Sequence, residues 1–219
     1  MKITLKKEAL LKYTLDQIEK SFPDGKKYDK INVLKSFEKS IKRIEFCFSK
    51  INNKYFYKDN EVYFNHLNGD QYSMYLYFFS NTLFKDKFDT TLCEKIFLLN
   101  KKLFGIDVFY EINLPDIFLF VHPLGTVIGR GKFDDYLIIY QGCGIGANHN
   151  VYPTLGKYVT LHPNVTILGN CNIEENCEFA ANSLIIDKDL ESNTIYFGSP
   201  KNNFKKKNLI ANNIWKDEK

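Results

Sequence analysis

The chain has 219 residues, 44% of them apolar, and a net charge of +4 with basic and acidic residues interleaved except at Lys201, Lys205, Lys206 and Lys207. This is enough apolar surface for one large domain or two small ones, and it excludes nucleic acid as the main partner, which requires a concentrated basic face. No run of about 18 uncharged apolar residues exists, which excludes a transmembrane helix, and the start Met-Lys-Ile-Thr-Leu-Lys-Lys is charged and amphipathic rather than a signal segment, so a cytoplasmic protein without membrane association is expected.

The first half has helical periodicity. Leu11, Leu15, Ile18 and Phe22 recur at helical spacing and stop at Pro23-Asp24-Gly25, and Leu34, Phe37, Ile41, Ile44, Phe48 and Ile51 form a second stripe. Tyr72 to Leu83 and Thr90 to Leu103 are two further helices, the last with Thr90 as its expected N-cap and Gly105 placed to end it. Lys54 to Phe64 is aromatic-rich and resists assignment.

Past Gly105 the apolar residues lose the helical period and Gly, Pro, Asn and Asp appear every few positions, which sets an expected boundary. Residues 1–104 form a helical domain, 105–200 a repeat domain and 201–219 a basic tail. From Leu155 the pattern is strict. Leu155, Leu161, Ile167, Ile173, Phe179 and Ile185 fall six apart, and Val159, Val165, Cys171, Cys177 and Ser183 fill the fifth place of each hexad, a rule that breaks only at Asp189. A large aliphatic residue every sixth position with a small one four later suits short strands that turn a corner after each hexad, so that each coil buries its apolar side on the next. A meander of antiparallel strands would instead alternate with period two. Upstream of Leu155 the hexads lose phase, as expected if a loop interrupts the coil near Gly146 to Pro153.

The five cysteines (Cys47, Cys93, Cys143, Cys171, Cys177) include no C-x-x-C pair, so reduced thiols and no metal site are expected. Of the four histidines, His162 follows an inward Leu161 at a corner and reads as a surface residue, while His149 lies in the polar Ala147-Asn148-His149-Asn150 loop. His122 differs. A strongly apolar strand, Phe118 to Val121, runs straight into it, and a partly desolvated imidazole stays neutral and able to accept a proton. Taken alone, the same position suits a packed structural histidine equally well.

Val121-His-Pro-Leu-Gly-Thr-Val-Ile-Gly129 resembles the Asp-His-x-x-Gly-Ile-Val-Ile-Gly signature of the serine acetyltransferases, and Gly105-Ile106-Asp107-Val108 lies where that family carries its Gly-Val-Asp-Ile segment, fifteen positions before the histidine. The resemblance continues through Tyr140-Gln141-Gly142, Ile167-Leu168-Gly169-Asn170 and Gly198-Ser199-Pro200-Lys201, and in the helical part through Asp70 to Tyr77. It implies a helical domain followed by a left-handed parallel β-helix of hexapeptide repeats, a homotrimer whose pairing into hexamers is left open, and acetyl-CoA as cosubstrate in the groove between subunits. His122 would be the general base and Asp107 would hold its ring tautomer. Backbone N–H groups near Gly146 would meet the oxyanion. Gly146, Ala147, Pro163, Ala181 and Lys201 fall at the cofactor contacts, and His66, Asp70, His149 and Tyr152 at the acceptor side.

The chain departs from the family where Val121 replaces an acidic residue and Val151-Tyr152 replaces an Arg-His pair, which removes partners for an ammonium and a carboxylate. The acceptor is therefore open between a serine-like amino acid and a sugar or nucleotide-sugar hydroxyl of surface polysaccharide synthesis, and a non-catalytic assembly module is the third reading. The chain ends Trp215-Lys-Asp-Glu-Lys219 rather than in Ile, so a complex with cysteine synthase is not expected.

Overall fold

The computed structural model describes residues 1–208 and 214–216. Its first part is helical: β1 (Lys2–Ile3), α1 (Lys7–Ser21), α2 (Lys30–Ser49), β2 (Tyr57–Lys58), β3 (Glu61–Phe64), α3 (Gly69–Lys85) and α4 (Thr90–Phe104). The aromatic stretch that resists assignment is a 3-10 turn, Lys54–Phe56, leading into the β2–β3 hairpin, with β1 parallel to β3. Two of the four helices occur where the apolar stripes predict them, and the other two over the further candidate stretches. The N-cap of α4 is Asp89 and not Thr90, because the Asp89 carboxylate accepts from Thr91 N while Thr90 already lies inside the helix. Gly105 closes α4 in the left-handed conformation at φ 62°, which a residue bearing a Cβ reaches only at a cost.

Helix α3 is the centre of this half. Every residue from Gln71 to Leu83 is buried, and each fully buried ring contributes roughly 1.5–3 kcal/mol of transfer free energy. Two of its polar side chains anchor the chain beyond α4: Tyr77 Oη donates to Ile112 O at 2.8 Å and accepts from Leu114 N at 2.8 Å, and Asn81 Nδ2 donates to Tyr110 O at 2.9 Å.

Beyond Gly105 the chain winds as a left-handed parallel β-helix. One face carries β4 (Asp107–Val108), β6 (Val127–Ile128), β9 (Gly144–Gly146), β12 (Thr166–Leu168) and β15 (Leu184–Ile186). A second carries β5 (Phe118–Val121), β8 (Leu137–Tyr140), β11 (Thr160–Leu161), β14 (Glu178–Phe179) and β16 (Thr194–Ser199), and the third β7 (Lys132–Phe133), β10 (Thr154–Leu155) and β13 (Asn172–Ile173). The six inward hexad residues, Leu155 to Ile185, are all buried, as are their small partners Val159, Val165, Cys171, Cys177 and Ser183. At Asp189 the hexad rule fails for a local reason. Its carboxylate faces out and accepts from Asn172 N at 2.8 Å, and Leu190 enters the core in its place and pairs with Ile173.

The loss of phase upstream has a countable cause. Thr160 pairs with Glu178 on one side and Ile138 on the other, so one coil takes 18 residues and the preceding one 22. The additional residues form a tight turn in which Asn148 and Val151 bridge each other and His149 and Asn150 both have positive φ. Corners elsewhere use asparagine ladders: Asn164 Nδ2 donates to Asn182 Oδ1 at 3.1 Å and Asn176 Nδ2 to Asn193 Oδ1 at 2.8 Å, with all four in the left-handed region that Asn tolerates.

Both ends of the solenoid are covered. Phe118 of β5 packs on Tyr77 and Phe78 of α3, and Cys47 Sγ of α2 donates to Phe118 O at 3.2 Å. At the other end, β17 (Asn202–Lys207) folds antiparallel onto β16, which corrects the expectation of a solvated basic tail: Lys205, Lys206 and Lys207 are exposed residues of an edge strand, where lysines discourage further strand pairing. Trp215 bridges to Ile51 of the helical half and meets Tyr136 of the β-helix edge-on, whereas residues 209–213 and 217–219 of the expected tail lie outside the described part.

Candidate functional site

His122 stands on a bulge made by the register of the first two coils. Val121 pairs with Tyr140 and Val127 with Gly144, so the first coil fits residues 122–126 into a corner that the second coil turns with 141–143. The two additional residues push the histidine outward. Its φ is 50°, an uncommon conformation for a residue with a Cβ, and Pro123 follows in a narrow turn closed by Leu124 N donating to His122 O at 2.7 Å. The side chain is 75% exposed on the single chain, so the desolvation expected from the preceding apolar strand does not occur here: the strand residues point inward and the bulge carries the imidazole away from them.

The carboxylate that faces this histidine is Asp70 and not Asp107. Asp70 Oδ1 accepts the His122 main-chain N–H at 2.9 Å and lies 3.8 Å from ring Nδ1. It is the second residue of α3, whose start is capped by Asn68 accepting from Gln71 N. Burial pushes the Asp70 carboxyl up, and the His122 N–H and ring oppose that shift. Asp107 is engaged elsewhere. Its Oδ2 lies 2.6 Å from Lys101 Nζ, because the left-handed turn at Gly105 folds β4 back beside the last turn of α4. The expected Asp107–His122 pair is thus replaced by an Asp107–Lys101 ion pair and an Asp70–His122 contact; Asp70 was expected at the acceptor side, but no spacing rule brings a residue so distant in the chain to the His122 ring.

His162 lies on the same edge one coil further than Tyr140, on which its ring stacks at 5.4 Å, and its Nε2 is 3.4 Å from Glu178 Oε2. It is half-buried, not a free surface residue; the His162 contact holds the Glu178 carboxyl below its usual value against the effect of burial. Pro163 and Ala181 continue this edge, with Asn182 N donating to Pro163 O. Gly146, Ala147, His149 and Tyr152 lie on a different edge, between the first and third faces, where Ala147, His149 and Tyr152 are exposed. Lys201 is exposed in the turn between β16 and β17. His66 is tied down at the entry to α3: its Nδ1 meets Thr4 Oγ1 at 2.6 Å, its ring is edge-on to Tyr13, and burial lowers its pKa. One chain therefore presents two groups of candidate residues on two edges. Apolar residues flank both, Leu124 and Val127 near His122, Val151 beside Tyr152, all exposed.

A helical domain packed on the first coil of a left-handed β-helix, with a bulged histidine between them, defines the class of fold. No protein-family model and no curated protein matches the chain in sequence. Among solved structures it is similar to the Neisseria gonorrhoeae serine acetyltransferase, at 18% identity and a TM-score of 0.65, over 82% of this chain and 73% of that one. The serine acetyltransferase of Brucella abortus strain S19 is similar at 15% identity and a TM-score of 0.63, over 91% and 75% of the two chains. A serine acetyltransferase solved in complex with CoA matches at 21% identity and a TM-score of 0.52, over 58% of this chain and 54% of that chain, about half its length. The fold is that of the serine acetyltransferases.

Proposed function

We propose that the chain is an acetyl-CoA-dependent O-acetyltransferase in which His122 is the general base. The observation that supports this most directly is that the residue singled out by the Val121 to Gly129 motif is also the one the first coil bulges outward, in a strained conformation, within a fold shared with serine acetyltransferases. With Nδ1 facing Asp70, Nε2 is left to take the proton of an acceptor hydroxyl. The alkoxide attacks the thioester carbonyl, the tetrahedral intermediate expels the CoA thiolate, and the imidazolium returns its proton to that sulfur, leaving an acetyl ester and free CoA.

The two edges bearing candidate residues favour a homotrimer, in which the His122 edge of one subunit meets the Gly146–Tyr152 edge of a neighbour and covers the exposed Leu124, Val127 and Val151. Acetyl-CoA would lie along that boundary against Gly146, Ala147, Pro163 and Ala181, with Lys201 near a phosphate. The acceptor is a hydroxyl compound. Val121 and the uncharged Val151-Tyr152 pair support a sugar or nucleotide-sugar hydroxyl, since they stand where the resemblance expects charged partners for an amino acid's ammonium and carboxylate.

Thiol release from acetyl-CoA against serine, homoserine and a set of nucleotide sugars tests the reading. Acceptor-dependent release supports it and identifies the class. No release with any of them, together with no heat of CoA binding, overturns it.

A further inference from the structure

The geometry points to Asp70, a residue of the helical domain, as the positioning carboxylate of His122, in the role that the motif resemblance assigns to Asp107; this rests on the acetyltransferase reading of the site. One oxygen serves two groups of the same histidine. Asp70 Oδ1 holds the main-chain N–H at 2.9 Å and faces ring Nδ1 at 3.8 Å, close enough for its charge to act on the ring. The clamp explains how a histidine at φ 50° is held on a bulge: its N–H has a charged acceptor, and its C=O closes the turn over Pro123. Asp70 is itself fixed, with its side chain only 24% exposed and its backbone in the first turn of the buried helix α3, where the helix dipole favours a carboxylate.

Asp107, the carboxylate that the motif resemblance would supply, is already paired with Lys101. A carboxylate at Nδ1 fixes the tautomer with the proton on Nδ1 and stabilises the imidazolium formed when Nε2 takes a proton. The base would then be oriented from the helical domain, across the junction between the two halves, and not from the neighbouring coil.

Asp70→Asn separates this role from a purely structural one, because the amide oxygen still accepts the His122 N–H while the charge is gone. In ¹⁵N-histidine-labelled protein the tautomer of the neutral His122 ring is read directly by NMR from its two ring nitrogens, with His122→Gln assigning the signal among four histidines. The expected result is loss of the Nδ1-protonated tautomer in Asp70→Asn and its retention in Asp107→Asn, with an unaltered melting curve. In turnover, kcat falls about tenfold or more while KM for the acceptor changes little. An unchanged His122 tautomer in Asp70→Asn, a change in Asp107→Asn instead, or a loss confined to the acceptor KM overturns the assignment. The NMR reading stands whether or not the protein transfers acetyl groups, so failure of this inference and failure of the acetyltransferase reading give different results.

Discussion

Lys101 Nζ lies 2.6 Å from Asp107 Oδ2 across the left-handed turn at Gly105, which links the last helix to the first coil. The same turn brings Gly105 O onto Gly125 N at 3.1 Å, so one glycine sets both the ion pair and the seating of the coil. The pair is partly exposed and contributes less than about 1 kcal/mol, whereas a Cβ at φ 62° costs about 1–2 kcal/mol. Urea unfolding should therefore show a small loss for Lys101→Met and a larger one for Gly105→Ala. The reverse order would mean that the ion pair, not the turn, holds the junction.

His122→Ala should lower acceptor-dependent thiol release by about 10²- to 10⁴-fold, the range for removal of a general base, with an unchanged circular dichroism spectrum. Because the side chain is exposed on the bulge, little packing is lost with it. Near-full activity in this variant removes His122 from the reaction.

All five cysteines are buried and unpaired. Burial pushes Cys47 and Cys93 up to about 12 and Cys177 up to about 11, and raises Cys143 and Cys171 as well. The folded protein should be inert to Ellman's reagent at pH 8 and should release five equivalents on unfolding in guanidinium. Rapid modification of any thiol in the native state would contradict the packing of its coil or helix.

Asp89 couples a helix cap to pH. A hydrogen bond from the Lys26 ammonium, with further bonds from Thr91, holds its carboxyl at about 2, below the usual 3.8. A folded pKa depressed in this way gives stability that is present above the unfolded value and disappears as pH falls through the folded one. Asp89→Asn keeps the cap and removes the charge, so wild type should exceed it in stability at pH 6 by up to about 1 kcal/mol, given the exposure of the pair. The two stabilities should converge between about pH 4 and pH 2 in acid melts. A constant difference across that window would show that Lys26 contributes nothing.

The hexads from Leu155 onward were legible because period six is a local rule: each coil repeats the same inward and small positions, and every one of those residues except Asp189 is buried. The first two helices were legible for the same reason, through stripes of Leu, Ile and Phe. Where a feature depends on how two coils align, the sequence is silent. The turn at Asn148–Val151 and the bulge at His122 are visible only as register differences between strands that the chain brings together after a full coil. The folding of Asn202–Lys207 as an edge strand, rather than as a tail, likewise depends on β16 being there to pair with it.

The sequence alone determined that an α-helical segment precedes a hexapeptide β-helix, and that His122 sits in the motif resembling an acetyltransferase base, because both are written in short-range spacing. Only the tertiary structure decided which carboxylate meets that histidine. Asp70 is 52 residues away and reaches it because α3 is buried against β5, while Asp107, much nearer in sequence, is turned by Gly105 onto Lys101. Chain spacing records which residues share a face of one element; the packing of one element on another sets which charges meet.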